Sequence, residues 1–246
     1  MNLQELLDEL RNNILRDVSS QVSAGGDQGA MWDDATLVRY INEAQTRFFV
    51  KTSFLRDETT PAICQIVLVP GQDTYDLDPR VIGVFAARLG NVGAIRKGTY
   101  GSLFARSGDQ TMNTVYTDYL ANWQENPQSR PSLFYTDRET QRLGVYPAPG
   151  VNLAGTILNL RVSRRPLVPL SLNNLRATPE APEDHHMDLL EWAAWKCYRN
   201  HDVDTENIPK GSTHAKRFQD AVDEVSREVK RLTTNDVQFD LRNNWS

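Results

Sequence analysis

Ile63-Cys-Gln-Ile-Val-Leu-Val69, Pro70-Gly-Gln-Asp73 and Thr74-Tyr-Asp-Leu77 follow one another without a break, and within them the apolar period of the chain changes. The first run is short, β-branched and apolar, the second holds turn formers, and the third resumes a strand-like pattern, so the stretch predicts a β-hairpin. It decides the fold class because the residues on its N-terminal side have a helical period. Leu3, Leu6, Leu7, Leu10, Ile14, Leu15, Val18 and Val22 recur every three or four positions and predict one apolar stripe on a helix, with Asn2 and Glu5 as a capping box. Gly25, Gly26 and Gly29 break it. A second helix is expected from Asp33 or Asp34 through Leu37, Ile41, Ala44 and Phe48, with Pro61 as its outer limit, which makes an αα-hairpin.

Working outward on the C-terminal side, Val81 to Leu89, Leu133 to Thr136, Arg142 to Tyr146 and Thr156 to Ser163 predict further strands of a small sandwich or curled sheet. In Leu143-Gly-Val-Tyr-Pro-Ala-Pro149 neither proline can donate to a ladder, so that strand must stop or lie on an edge. Five glycines and Arg96-Lys97 between Gly90 and Gly108 predict a long loop, functional or mobile, and Met112 to Trp123 a short helical turn. Helical period returns after Pro182. From Met187 to Tyr198, Leu189, Leu190, Ala193, Ala194 and Cys197 form one side while Trp192 and Trp195 carry apolar surface nearly round the cylinder. Such a helix must bury more than one face, which points to a bundle contact and a subunit contact, with Trp192 and Trp195 at the oligomer interface. A last helix is expected from a Ser212 cap to Leu232.

Beyond it, Val237, Phe239 and Leu241 alternate with Gln238, Asp240 and Arg242, the period of a strand with one apolar face. A terminus has no local sheet to complete, so these residues and Trp245 predict a docking arm that binds a partner by strand addition. The expected class is α+β: a helical bundle (1–61 and 179–234), an inserted β-sandwich-like domain (62–178) and an extended C-terminal arm (235–246).

The search for chemistry is mostly negative. Asp184, His185, His186 and Glu191 are the sharpest candidates for a metal-dependent hydrolase or nuclease, but adjacent histidines on a helix send their rings about 100° apart. Acidic residues at a helix start also serve the helix dipole without any metal. No phosphate-binding glycine motif and no nucleophile elbow occurs in the sequence. Neither catalytic residues nor a cofactor nor a metal is therefore assigned. Cys64 and Cys197 are expected as unpaired thiols of a reducing compartment, and a net charge of −5 gives no global basic field for nucleic acid. Arg161, Arg164, Arg165, Arg96 and Lys97 could contact phosphates, though arginines beside acidic neighbours are the plainer reading. Glu5, Asp8 and Glu9 among the first leucines argue against a signal peptide, and no apolar run has the length of a membrane span.

The order of motifs resembles a known family. Trp32-Asp-Asp-Ala-x-Leu37 opens a helix that carries Asn42-Glu-Ala-Gln45; then come Leu68-x-x-Gly71-x-x-x-Tyr75-x-Leu77, Asn122-Trp123, Arg130-Pro131, Tyr135-Thr136, Leu143 to Pro149 and the tryptophan-bearing helix. Together they resemble the head-to-tail adaptor proteins of tailed bacteriophages, including the tubular gatekeeper-type adaptors of short-tailed phages. The resemblance implies a dodecameric ring under the portal protein that extends the DNA channel, lets DNA pass without specific binding, and offers a tail or nozzle protein a docking surface. It implies a virion location after assembly in the host cytoplasm. A different neck or tail-completion role stays open at this point.

Overall fold

Asn2 and Glu5 cap the first helix reciprocally: Glu5 N donates to Asn2 Oδ1 at 3.0 Å and Asn2 N to Glu5 Oε2 at 2.9 Å. The computed structural model describes residues 1–16, 32–90, 93–103, 129–199 and 208–242. Two compact units divide them, one from Met1–Leu55 with Arg165–Ser246 and one from Arg56–Arg164. The β unit thus begins before residue 62 and ends well before 178, because Arg56 and Asp57 already pair with its last strand. No helix among the described residues is long and apolar enough to cross a membrane.

In the helical unit, α1 (Leu3–Glu9) runs into a π-helical segment, Leu10–Leu15, and stops at Arg16 with φ 55°. The stripe expected to reach Val22 as helix therefore ends earlier, and Val18 and Val22 lie outside the described residues. Helix α2 (Asp34–Thr52) is capped by the Asp33 carboxylate, which accepts from Thr36 N at 3.2 Å. It ends at Ser53, φ 51°, short of the Pro61 limit that the sequence suggests. Leu3, Leu6 and Leu10 meet Leu37 and Ile41 of α2 in one core with Leu190, Ala193, Ala194 and Cys197. The residues from Arg165 to Pro182 return to these helices without a helix or strand of their own. Two polar side chains of α2 hold them: Asn42 Nδ2 donates to Leu170 O and Asn42 Oδ1 accepts from Leu170 N (2.9 and 2.8 Å), while Gln45 Oε1 accepts from Glu180 N at 2.9 Å. Gln45 is buried, so its amide is a structural partner for backbone that no ladder satisfies.

A 3₁₀ turn, Glu183–His185, leads into α4 (His186–Arg199), and α5 (Ile208–Arg242) follows. Helix α5 starts before Ser212, with Pro209 in its first turn, where a missing N–H costs nothing. Ser212 Oγ donates back to Pro209 O at 2.9 Å and is no cap. The helix also continues through Arg242, so Val237, Phe239 and Leu241 stand on helical backbone and the expected extended arm is corrected there. Propagating an existing helix adds one hydrogen bond per residue fixed, which a lone strand at a terminus cannot match.

Among the described residues of the β unit a short helical turn, α3 (Pro61–Cys64), and eight strands occur: β1 (Arg56–Asp57), β2 (Gln65–Val67), β3 (Thr74–Asp76), β4 (Val81–Leu89), β5 (Gly93–Lys97), β6 (Leu133–Tyr135), β7 (Arg142–Tyr146) and β8 (Ile157–Arg164). They form one hydrogen-bonded path, β1-β8-β4-β5-β6-β7-β3, with β2 also on β8. Of these strands β5 and β6 run parallel and the other pairs antiparallel. The predicted hairpin of Ile63 to Leu77 is corrected: β2 pairs with β8 and β3 with β7, so the turn at Pro70 and Gly71 carries the chain from one end of the path to the other. Ile63 and Cys64 lie in α3, leaving too short a strand to fold back on Thr74. The glycine-rich stretch from Gly90 is not all loop either, since β5 runs through it with Ile95 buried. Gly93 at φ 129° admits the reversal from β4. Met112 to Trp123 lies outside the described residues.

Strand β7 ends at Tyr146, before Pro147, and lies between β6 and β3 instead of on an edge. Opposite Gly144 in this strand stands Tyr135, whose buried ring lies where a Cβ would be. This pairing explains why an aromatic and a glycine occur together in two of the quoted motifs. Gly144→Ala should destabilise the β unit by about 1–3 kcal/mol by forcing the ring out of its rotamer, read as a lowered midpoint in urea. An unchanged midpoint would show that the ring has room to move.

Candidate functional site

Helix α4, whose apolar surface is expected to make a subunit contact, is the first surface to consider. Its apolar circumference is taken up largely within the helical unit, by α2 on one side and α5 on the other. Trp192 is buried against Phe218 (centroids 5.1 Å apart) and Trp195 (4.5 Å), with the Arg47 guanidinium 4.4 Å over its ring. Its Nε1–H is buried and has no acceptor among the described residues. Trp192 thus belongs to the core of the helical unit. Trp195 is half-buried, packs against Lys196 and Arg199, and lines a cleft of about 320 Å³ with Tyr198, Ile208 and Gly211.

The start of α4 holds the residues that suggested a metal, and the structure separates them. His185 Nδ1 meets Asp188 at 3.0 Å, and its ring packs on Phe48. His186 points elsewhere, with Nε2 2.9 Å from Ala181 O and Nδ1 3.0 Å from the Met1 amino group. Burial holds the His186 imidazole below its ordinary pKa, and the nearby amine adds to this. Glu191 lies further along, where it meets His214 and Arg217. Burial raises its carboxyl, but the hydrogen bond and charge of His214, with Arg217, outweigh that and leave it below the usual carboxylate range. Among the described residues no group of three or more His, Cys, Asp or Glu side chains is placed to hold a metal. Cys64 and Cys197 are both buried thiols, and burial beside the Asp57 carboxylate pushes Cys64 up to about 11.

The polar centre that sequence reasoning missed lies where the chain enters and leaves the β unit. Asp57 on β1 and Arg164 on β8 form a buried ion pair, Nε to Oδ2 2.6 Å, with side-chain exposures of 4% and 10%. Asp57 Oδ1 also accepts from Thr59 N (2.9 Å) and Thr60 N (3.0 Å), and Oδ2 from Thr60 Oγ1 (2.7 Å). Burial alone would raise this carboxyl, yet these donors hold it well below the usual range. A signal was present in Asp57-Glu-Thr-Thr60 before Pro61, where an acidic side chain can take the N–H groups of the next turn. Arg161 meets Glu58 at 3.8 Å, so two of the clustered arginines have acidic partners in the same chain. Of the predicted partner-binding residues, Val237, Phe239 and Leu241 lie on α5, and Trp245 lies outside the described residues.

The chain therefore presents structural polar clusters and buried thiols, on a two-unit frame whose order follows the motifs quoted above. The family model for the SU10 adaptor protein matches residues 1–239. This chain belongs to the SU10 adaptor protein family. No curated protein matches it. Membership makes it a phage adaptor, a structural protein of the virion that works by contact with other capsid or tail components, and points to a non-enzymatic role. The match spans both units and most of α5.

Proposed function

We propose that this adaptor assembles as a homo-dodecameric ring beneath the portal protein, joins the DNA-filled head to the tail or nozzle protein, and extends the channel through which DNA passes without specific binding. The observation that carries this reading is the family match across residues 1–239, which includes the α4 and α5 surfaces as well as the β unit. Trp195, half-buried on α4, is the residue of that helix we assign to the ring contact, together with the exposed side of Trp192's neighbours. The segment from Asn235, with Val237, Phe239, Leu241 and Trp245, is assigned to the portal. Since α5 is helical to Arg242, that contact is made by a helix end and not by strand addition.

The test is electron microscopy and sedimentation of the purified chain, alone and mixed with portal rings. Rings that stack on the portal are the expected result, and a chain that stays monomeric in both samples sinks the reading. Removing residues 235–246 should lower the helical circular dichroism only by the share of the helical residues 235–242 while abolishing co-sedimentation with portal. Binding at wild-type affinity by the truncated chain would take the portal contact away from this segment.

A further inference from the structure

The outward face of the β unit is ordered in three rows across the strands. The first row runs from Arg96 on β5 past Ala86 to Arg161, which is paired with Ala86 in register. The second is Ala94, Arg88, Asn159 and Gln65, all in register. The third sets Val67 opposite Ile157. Arg88, Arg96 and Arg161 are exposed, and so are Val67 (58%) and Ile157 (40%). A nucleic-acid backbone would use the arginines but gains nothing from an adjoining pair of exposed β-branched side chains, whereas a protein surface uses both.

A matching surface occurs on the helical unit of the same sequence. Gln4 N donates to Leu175 O at 3.0 Å, which sets the start of α1 beside the 171–177 segment. Leu172 (40%) and Leu175 (38%) are exposed there, and Glu5 and Asp8 are exposed one turn apart on α1, with Arg176 as a base alongside. Apolar and acidic groups thus stand together here, as apolar and basic groups do on the sheet.

From this complementarity we infer that the sheet face of one copy docks on the α1 and 171–177 surface of a second copy of this chain, Arg88 and Arg96 meeting Glu5 and Asp8. Two different patches that fit each other make a heterologous contact, which repeats from copy to copy and closes into a ring when its rotation allows. The inference rests on the ring proposed above and names the surfaces that build it.

The experiment is a charge exchange in the full-length chain, read by sedimentation velocity and electron microscopy under conditions in which the wild type forms rings. Arg88→Glu with Arg96→Glu should raise the concentration needed for assembly roughly tenfold or more, since like charges then face each other. Glu5→Gln with Asp8→Lys should do the same, and Gln at position 5 keeps the helix cap. All four changes together should restore rings. Circular dichroism of each variant distinguishes lost assembly from lost folding, and the restored quadruple variant does so a second time. Normal assembly of the sheet variant overturns the contact, as does a folded quadruple variant that stays apart. Loss of fluorescence-anisotropy binding to a duplex oligonucleotide in the sheet variant, with rings intact, would make the face a nucleic-acid surface and overturn it too. A wild type that never forms rings, with or without portal, overturns the ring and this contact with it.

Discussion

Asp57→Ala should unfold the β unit under conditions where the wild type is stable, at a cost of about 3–5 kcal/mol. The change takes the Asp57 carboxylate away from the buried Arg164 guanidinium and from the Thr59 and Thr60 N–H groups that donate to it. A loss of that size is a large share of the roughly 5–15 kcal/mol that holds a domain together. Asp57→Asn should lose somewhat less, because an amide oxygen still accepts from the turn but carries no charge for Arg164. The expected readout is a lowered thermal midpoint with new cleavage sites inside 56–164, while the helical unit stays resistant. A wild-type midpoint in Asp57→Ala would mean that water replaces the carboxylate at no cost. The pH dependence has a definite sign. The folded carboxyl lies below its ordinary value of 3.8, so this stabilisation is complete above that value and is lost as pH falls beneath it. Acid unfolding of the wild type below about pH 4 should therefore be steeper than that of Asp57→Asn.

The second large effect is Trp192→Ala, expected to cost about 3–5 kcal/mol because it opens a cavity between α4, α2 and α5 and strips the Arg47 stack. Its near neighbour Trp195→Ala should behave differently. Part of its surface is already open, so the thermal midpoint of dilute protein should shift by less, while assembly into rings should weaken. Measuring melts and sedimentation on the two variants separates core from contact. If Trp195→Ala collapses the midpoint and leaves assembly intact, that residue is core as well and the ring contact lies elsewhere.

The contrast between these tryptophans shows where the sequence was legible. Period gave α2 and β4 almost to the residue, and the caps at Asn2 and Asp33 were readable because capping is local. The quoted motifs carried the family, and the structure now gives three of them physical work: Asn42 and Gln45 hold the returning segment, and Tyr135 covers Gly144. Strand partners were not legible. Nothing near Ile66 or Tyr75 says that β2 belongs to β8 and β3 to β7, because that choice is made by residues far along the chain. The helix end at Arg16, and how far short of Pro61 α2 stops, were not legible for a related reason. Arg16 and Ser53 both adopt left-handed backbone without glycine, so tertiary packing sets these ends where local preference would not. The excess apolar surface of α4 was real, but the sequence could not tell a second helix of the same unit from a second copy.

The pairing of Arg56 with Ser163 and Asp57 with Val162 places the two connections of the β unit on neighbouring strands. Opposed residues in such a ladder are only about 5 Å apart. The chain therefore enters and leaves the β unit at a short fixed span, whatever the length of chain folded beyond it. Closing that span costs the helices no more than a tight turn would, since the entropy of the intervening residues is settled within the sheet. A short glycine-containing linker from Leu55 to Arg165 is thus a geometrically faithful replacement. By the same geometry, a different module with neighbouring end strands could be grafted at this point without redesigning the helices.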